Sequence, residues 1–480
     1  MAPAFPRVQA AAIDGRLDNI YHRQVELEKL CKALIENVNE IKQAIAADSG
    51  HAPAEVAVEY HEALSAVKRD YATLIPKEAH DEEYLVAHGN DAANRRVAAG
   101  IVYIEPTAHT LFYSVIVPLS TALTAGNTVI VLLENNLRAV PGLLRRLLPA
   151  TLDADVLALA SKPVRDDELP ATAIRVLQNG VQTVPRANQL TSRSDAFVIA
   201  VVDRTADFQV AARELVAARS KFGGTSSYAP DLVLINEFTK EEFLQAVHSE
   251  SSKLVTDTKA HVQTIRSGRV DEAVEQLSKS DSKARILFRK NDLAIVELHS
   301  RSATFLAKSS SPILKIYAVK SLDDAIDLFG FHATTPAAAA YHFGKPATGK
   351  YLSQFIPAER AFINHIPREL LLGPAIPTGR HTDSNQCYST DCFTLNRPVY
   401  IEASVRSEKL VTVLGSHNSD IAKKLTAEAT TPLKAFKRNP GGGVGYFEQG
   451  FLYNAGLILA STLTVSATGA YWLWKYSRPV

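Results

Sequence analysis

Sulfur and indole are scarce in this chain, with three cysteines, one methionine and two tryptophans among 480 residues. Cys31, Cys387 and Cys392 form no C-x-x-C pair and no recurring Cys/His spacing, which excludes a disulfide framework and a zinc ribbon and fits a reducing compartment. Charge of one sign is missing too: 52 Lys+Arg against 51 Asp+Glu leave +1, with no long basic run. The electrostatic footprint of a nucleic-acid binder is therefore absent, and no nucleic-acid partner is expected. The first fifteen residues lack the continuous apolar core of a secretory signal before Asp14 and Arg16. With 46% apolar residues and only 23 Gly and 23 Pro, neither disorder nor a collagen-like repeat fits.

What is present is the pattern of a large globular protein, long enough for two or three units of roughly 150 residues. Apolar positions spaced by threes and fours predict a helix over Leu17–Ala47, and a second over Ala54–Leu74. Short β-type runs then alternate with helical ones, at Ile101–Ile104, Thr128–Leu132, Val156–Leu159, Ile174–Leu177, Phe197–Val202, Leu232–Ile235 and Ile313–Val319. Such alternation implies an α/β fold with a largely parallel, helix-covered sheet. Ser321, three residues before Asp324, reads as the N-cap of a helix that begins with an acidic turn.

The C-terminal region differs from the rest. Phe451–Trp474 is 24 residues without charge, enough to cross about 30 Å of hydrocarbon as a helix. Aromatic residues stand at both ends, including both tryptophans of the chain, Trp472 and Trp474, as interfacial anchoring requires. A buried core helix is the competing reading, supported by the Ser, Thr and Gly residues within the run.

The segment FVIAVV, an amphipathic helix, Gly223-Gly224 and TSSYAPD before LVLIN resemble the active loop of the aldehyde dehydrogenase superfamily. The likeness is to the class-3, fatty-aldehyde type, whose loop reads N-x-G-Q-x-C-x-A-P-D; Gly224, Ala229, Pro230 and Asp231 match it. Gly100–Asn127 is similar to the segment carrying W-N-Y-P-F, keeping Phe112, Pro118 and Ala-Gly-Asn at 125–127, and PILKIYAVKSLDDAI resembles a later family stretch. The likeness covers about residues 15–350 and implies two parallel-sheet halves, a homodimer and, with the class-3 type, a C-terminal membrane helix.

The same resemblance places a non-family residue at almost every functional position. Ser227 stands for the nucleophilic Cys and His109 for the oxyanion-hole Asn; the general-base Glu falls near Arg193, and residues 169–213 hold no glutamate. A hydroxyl is a far weaker nucleophile than a thiolate. The ribose-binding Lys and Glu correspond to Leu132 and Asn135, and the later E-x-F-G-P to Lys308-Ser309-Ser310-Ser311-Pro312. The phosphate loop keeps only Gly180, with about nine residues of the following helix absent, so the pyrophosphate cradle is lost.

These residues imply a membrane-anchored pseudoenzyme with no cofactor expected. One alternative is an NAD(P)-dependent oxidoreductase acting on an aldehyde with a rearranged site; another is a cofactor-independent acyl hydrolase in which Ser227 and His109 form a pair. The expected organisation is a degenerate dinucleotide-binding-type domain over 1–192 and a catalytic-type domain with the Ser227 loop over 193–385. A bridging segment and hinge follow over 386–450, and then the transmembrane helix over 451–475. The tail-anchor reading puts residues 1 to about 440 in the cytosol, at the endoplasmic reticulum. Truncation after Gly445 should release the protein into the soluble fraction; persistence in a carbonate-washed membrane pellet would refute the anchor.

Overall fold

The computed structural model describes residues 5–88, 96–180, 186–254, 263–281, 283–290, 293–301, 308–309, 311–333, 335–379, 387–396, 404–416, 419–434 and 444–477. The chain divides into two compact units, Met1–Tyr400 and Ile401–Val480.

In the first unit a short strand, β1 (Arg96–Ala98), precedes a five-stranded parallel sheet. Its members are β2 (Ile101–Glu105), β3 (Thr128–Leu132), β4 (Leu157–Ala160), β5 (Ile174–Gly180) and β6 (Gln189–Arg193), in the order β4-β3-β2-β5-β6. A seven-stranded sheet follows, built from β7 (Val198–Val202), β8 (Leu232–Asn236), β9 (Arg285–Lys290), β10 (Leu293–Leu298), β11 (Ile313–Val319), β12 (Ala339–Phe343) and β13 (Ala361–Ile363). Its order is β13-β12-β7-β8-β11-β10-β9, and only the edge strand β9 runs antiparallel. Finally β14 (Thr394–Asn396) returns to pair antiparallel with β1. The α/β fold with two parallel-sheet halves is thus present. Helices cover both faces, so several strands are buried along their whole length: every residue of β3, β7, β10 and β12 is buried, the polar Glu297 and His342 included.

The long N-terminal helix is two helices, Ile20–Glu36 and Val38–Ser49, broken at Asn37. The Asn37 side-chain amide donates to the Ala33 carbonyl at 2.8 Å, offering the backbone a local alternative to continuous helix. The second piece ends at Gly50 in the left-handed conformation (φ 64°). Asp48, beside that end, receives the Ala139 and Val140 N–H groups at 2.6 and 2.8 Å and so caps the distant helix Ala139–Thr151.

Helix Leu111–Thr124 is the central strut, with 12 of its 14 residues buried. Pro118 lies inside it and has no N–H to give the Ser114 carbonyl one turn earlier. The Gln178 side chain on β5 donates to that carbonyl instead, at 2.8 Å, and accepts from the Thr107 N–H at 2.9 Å. A proline that would otherwise leave a buried acceptor unpaired therefore cross-links helix, strand and the loop before the helix.

The connection from β5 to β6 is short. β5 ends at Gly180 and its parallel neighbour β6 begins at Gln189, which leaves eight residues between the two strands. A parallel crossover containing a helix takes a dozen or more residues.

The second unit holds helices Val405–Gly415 and Ser419–Ala429, joined by a Lys409–Glu428 ion pair, and the 31-residue helix Tyr446–Tyr476. Within the last helix Glu448–Leu473 is long and apolar enough to cross a membrane, and its described side chains lie almost wholly exposed. At its end Trp472 stacks on Tyr476 (5.5 Å between ring centroids), and the Lys475 ammonium lies 5.3 Å from the centre of the Trp472 ring.

One buried group in the second sheet has a measurable signature. His342 on β12 is 1% exposed, neither ring nitrogen has a hydrogen-bond partner among the described residues, and burial pushes its pKa down to about 4. Between about pH 6.5 and about 4 the unfolded chain therefore binds a proton that the folded chain refuses. Its contribution to stability is complete above pH 6.5 and is lost as the pH falls through that window. Thermal melts from pH 7.5 to 4.5 should show an acid loss on the order of 2 kcal/mol that His342→Leu removes. An unchanged slope in the variant would disprove the assignment.

Candidate functional site

The loop between helix Phe208–Ser220 and β8 is bound down at nearly every residue. Asp207 starts the helix, accepting the Gln209 and Val210 N–H groups at 3.0 Å each. After Ser220 the chain turns through Lys221–Gly224 with Phe222, Gly223 and Gly224 all at positive φ. A Cβ on Gly224 would lie 2.5 Å from the Arg219 carbonyl and 2.6 Å from Pro312 Cβ, so this position accepts only glycine.

Asp231 organises the rest of the loop. It is fully buried, and its carboxylate receives the Val198 N–H (2.9 Å), the Ser309 N–H (2.9 Å) and the Lys308 ammonium (3.1 Å), with the Arg219 guanidinium at 3.6 Å. Arg219, also fully buried, donates to the carbonyls of Ser309, Ser311 and Ile313 at 2.7–2.9 Å. Lys308 has a second contact, 2.7 Å to the Ser227 carbonyl. Buried Lys315 on β11 senses the same charges; burial first, then Arg219 and Lys308, bring its pKa to about 8 against the opposing pull of Asp231. Two cationic side chains, Arg219 and Lys308, thus flank one buried carboxylate.

His109 lies between two loops. Its Nε2 is 2.9 Å from the Leu371 carbonyl and its Nδ1 2.9 Å from Thr225 Oγ1. A carbonyl only accepts, so Nε2 carries the proton, and Nδ1 at 2.9 Å shares the one Thr225 hydroxyl hydrogen with the Phe222 carbonyl at 3.2 Å. Burial lowers the His109 pKa and keeps the ring neutral; Lys308 adds to the lowering, and the Leu371 bond opposes it. The next residue, Thr110, is held at φ 43°, an uncommon backbone for a β-branched residue, and its Oγ1 accepts the Gly373 N–H at 2.7 Å.

Ser227 is half-buried two residues beyond Thr225. It joins the hydrogen-bond network through its carbonyl, and among the described residues no hydrogen bond joins it to His109. The structure therefore brings His109 to the loop of Ser227, but to Thr225 rather than to Ser227 itself. Arg193, at the general-base position, pairs with Asp195 at 3.5 Å and donates to Thr335 Oγ1 at 3.2 Å. Leu132 is buried at the end of β3, while Asn135 Oδ1 accepts from Arg145 at 2.7 Å. Ser310 and residues 181–185, which follow Gly180, lie outside the described residues. Among the described residues no cluster of three or more His, Cys, Asp or Glu is placed to hold a metal.

Two carboxylates went unnoticed in the sequence. Glu55 and Glu59, one turn apart on helix Pro53–Ala72, are both buried behind this site. Glu55 accepts the Phe222 N–H at 2.9 Å, and Glu59 accepts the Tyr113 N–H at 3.4 Å in the first turn of helix Leu111–Thr124. Burial raises Glu59 to about 7, against the lowering effect of its backbone bonds. The signal was available: Glu55, Glu59 and Asp70 share the apolar face of Val56, Ala63 and Val67, where acids are costly unless paired.

This arrangement of two helix-covered parallel sheets and a clamped loop is an aldehyde-dehydrogenase-like fold. The substrate-bound AldH of Staphylococcus aureus is similar to the chain at a TM-score of 0.66, with 20% identity over 86% of this chain and 98% of that one. A bifunctional proline utilization A protein is similar at 0.63, with 13% identity over 81% of this chain and 43% of that one. Betaine aldehyde dehydrogenase from Staphylococcus aureus, solved in complex with NAD+, gives 0.59 at 12% identity over 76% and 79%. No protein-family model matches the chain, and no curated protein sequence matches it. At these identities the likeness establishes the fold.

Asp231→Asn should cost about 3 kcal/mol or more, because it leaves Arg219 and Lys308 buried without their counter-charge. Ser227→Ala, half-buried and bound through its backbone, should stay within about 1 kcal/mol. Urea unfolding checks both, and an Asp231→Asn loss below about 1 kcal/mol would refute the hub.

Proposed function

We propose that this chain is a membrane-anchored protein of aldehyde-dehydrogenase fold that has lost aldehyde oxidation and acts through its surface, as a homodimer. The observation that carries this reading is Lys308. The resemblance puts a cofactor-binding Glu there, yet its ammonium is engaged by the Ser227 carbonyl and Asp231. Oxidised nicotinamide is itself a cation, and a centre where Arg219 and Lys308 share the one Asp231 carboxylate repels it. Two further observations support the reading: Asn135 is taken up by Arg145, and eight residues join β5 to β6 where a phosphate-binding helix would need more. The residues present do not fit a dinucleotide, and no catalytic step is derived through one.

His109 supports the same reading from the side of the chemistry. Its one N–H is given to Leu371 and its one lone pair to Thr225, so neither an oxyanion donor nor a base for Ser227 is left over. The anchor rests on the length of the apolar helix and its aromatic, lysine-flanked end. Lys434, Lys437 and Arg438 lie close before the helix, which favours a cytosolic body.

Full-length protein in detergent should show no thermal shift with NAD or NADP, although a ligand binding only the native state raises its stability. It should not reduce either cofactor with short- or long-chain aldehydes, and Ser227→Cys alone should not restore turnover. Turnover abolished by Ser227→Ala would overturn the proposal in favour of an oxidoreductase. Cofactor-free ester hydrolysis lost in both Ser227→Ala and His109→Ala would establish the acyl-hydrolase alternative.

A further inference from the structure

Helix Val405–Gly415 carries an apolar row that nothing among the described residues of its unit covers. Leu410, Val411 and Leu414 are 40%, 66% and 85% exposed, while Glu408, Lys409 and Thr412 occupy the opposite side. The neighbouring helix Ser419–Ala429 is amphipathic too, with Ile421 and Leu425 only half-buried and Lys423, Lys424 and Glu428 on its polar side. The Lys409–Glu428 ion pair ties the two polar sides together. Beyond the pair Leu433 is 97% exposed. Exposed leucines and valines on a short, charged helical pair are the mark of a surface that is covered in the working protein.

Two observations identify the cover. One is charge: residues 403–445 hold seven Lys and Arg against three acids, and the stretch between Ala429 and Tyr446 holds Lys434, Lys437 and Arg438 with no acid at all. The other is continuity, because the 16 residues 430–445 lead directly into the apolar helix Tyr446–Tyr476. Even fully extended they span only about 54 Å, so a chain anchored by that helix holds the pair close to the headgroups at high effective concentration. Resting on the anchored reading above, we infer that the pair Val405–Gly415 and Ser419–Ala429 lies on the membrane, its apolar row among the acyl-chain ends and its basic residues on anionic headgroups. The pair is then a second, surface-lying attachment beside the spanning helix, sensitive to anionic lipid as the span is not.

The test uses the full chain with half-buried Cys31 changed to Ser, leaving the buried Cys387 and Cys392 in place. Leu414→Cys, Thr412→Cys and Leu463→Cys are each labelled with bimane. The proteins are reconstituted in brominated phosphatidylcholine vesicles, with and without about 30% phosphatidylserine. With the anionic lipid, bromine should quench the probe at 414 at least about twofold more than at 412, and salt or omission of phosphatidylserine should reduce that difference. The probe at 463 reports the anchor independently. Quenching at 463 without quenching at 414 overturns this inference and leaves the anchor standing, including the case where 414 is shielded by a second copy of the chain. Equal quenching at 414 and 412, or quenching at 414 indifferent to phosphatidylserine and salt, also overturns it. No quenching at 463 overturns the anchor and this inference with it.

Discussion

A buried carboxylate needs a counter-charge, and Asp231 meets that need with more cations than it can neutralise. Its oxygens tie the start of β7, through the Val198 N–H, to the segment before β11, through Ser309 and Lys308. The surplus is tolerated because backbone carbonyls take most of the Arg219 N–H groups, so the guanidinium is solvated by the chain itself. Lys308 then passes the constraint on to the Ser227 carbonyl, and Tyr341 holds the next carbonyl, that of Tyr228, at 2.9 Å. Nothing in these bonds asks for a nucleophile at the tip of the loop. A scaffold of this kind survives the replacement of a reactive side chain while its glycine and aspartate stay.

The strained residues tell the same story. Thr110 and Phe222 hold left-handed backbone on the two loops that meet at His109, at a cost of order 1–3 kcal/mol each. Gly373 and Glu55 pin them through the Thr110 hydroxyl and the Phe222 N–H. The strain serves a junction in which imidazole, hydroxyl and carbonyl satisfy one another.

The sequence made the strands of both sheet centres legible, because apolar runs between turn residues leave little choice. It did not reveal β12, whose flank Ala337–Ala340 is an alanine run with strong helix propensity; small residues suit a strand packed between layers on both faces. The partly polar β6 and the edge strand β9 lacked a clean alternation. At the site, Gly224, Pro230 and Asp231 were readable as a pattern, whereas the partnership of His109 with Thr225 depends on where two loops distant in sequence meet. Glu55 and Glu59 are marked in the sequence by their place on the apolar face of Val56, Ala63 and Val67, but their partners, the Phe222 and Tyr113 N–H groups, come from segments distant in sequence.

The ribbon of β1 and β14 sets a timetable for synthesis. Arg96 pairs with Asn396, and its side chain bonds that residue across 300 positions of sequence. Asn127, buried beside the five-stranded sheet, likewise waits for the Phe393 carbonyl. At ribosomal speeds of about 5–20 residues per second, some 15–60 s separate the two strands of the ribbon. Through that interval the half of the body made first has its parallel sheet, but the short strand β1 is without its ribbon partner and presents an open edge at the stage when aggregation competes with folding. Only about 50 residues part the ribbon's completion from the start of the apolar helix, so closure of the body and emergence of that helix fall within seconds of each other.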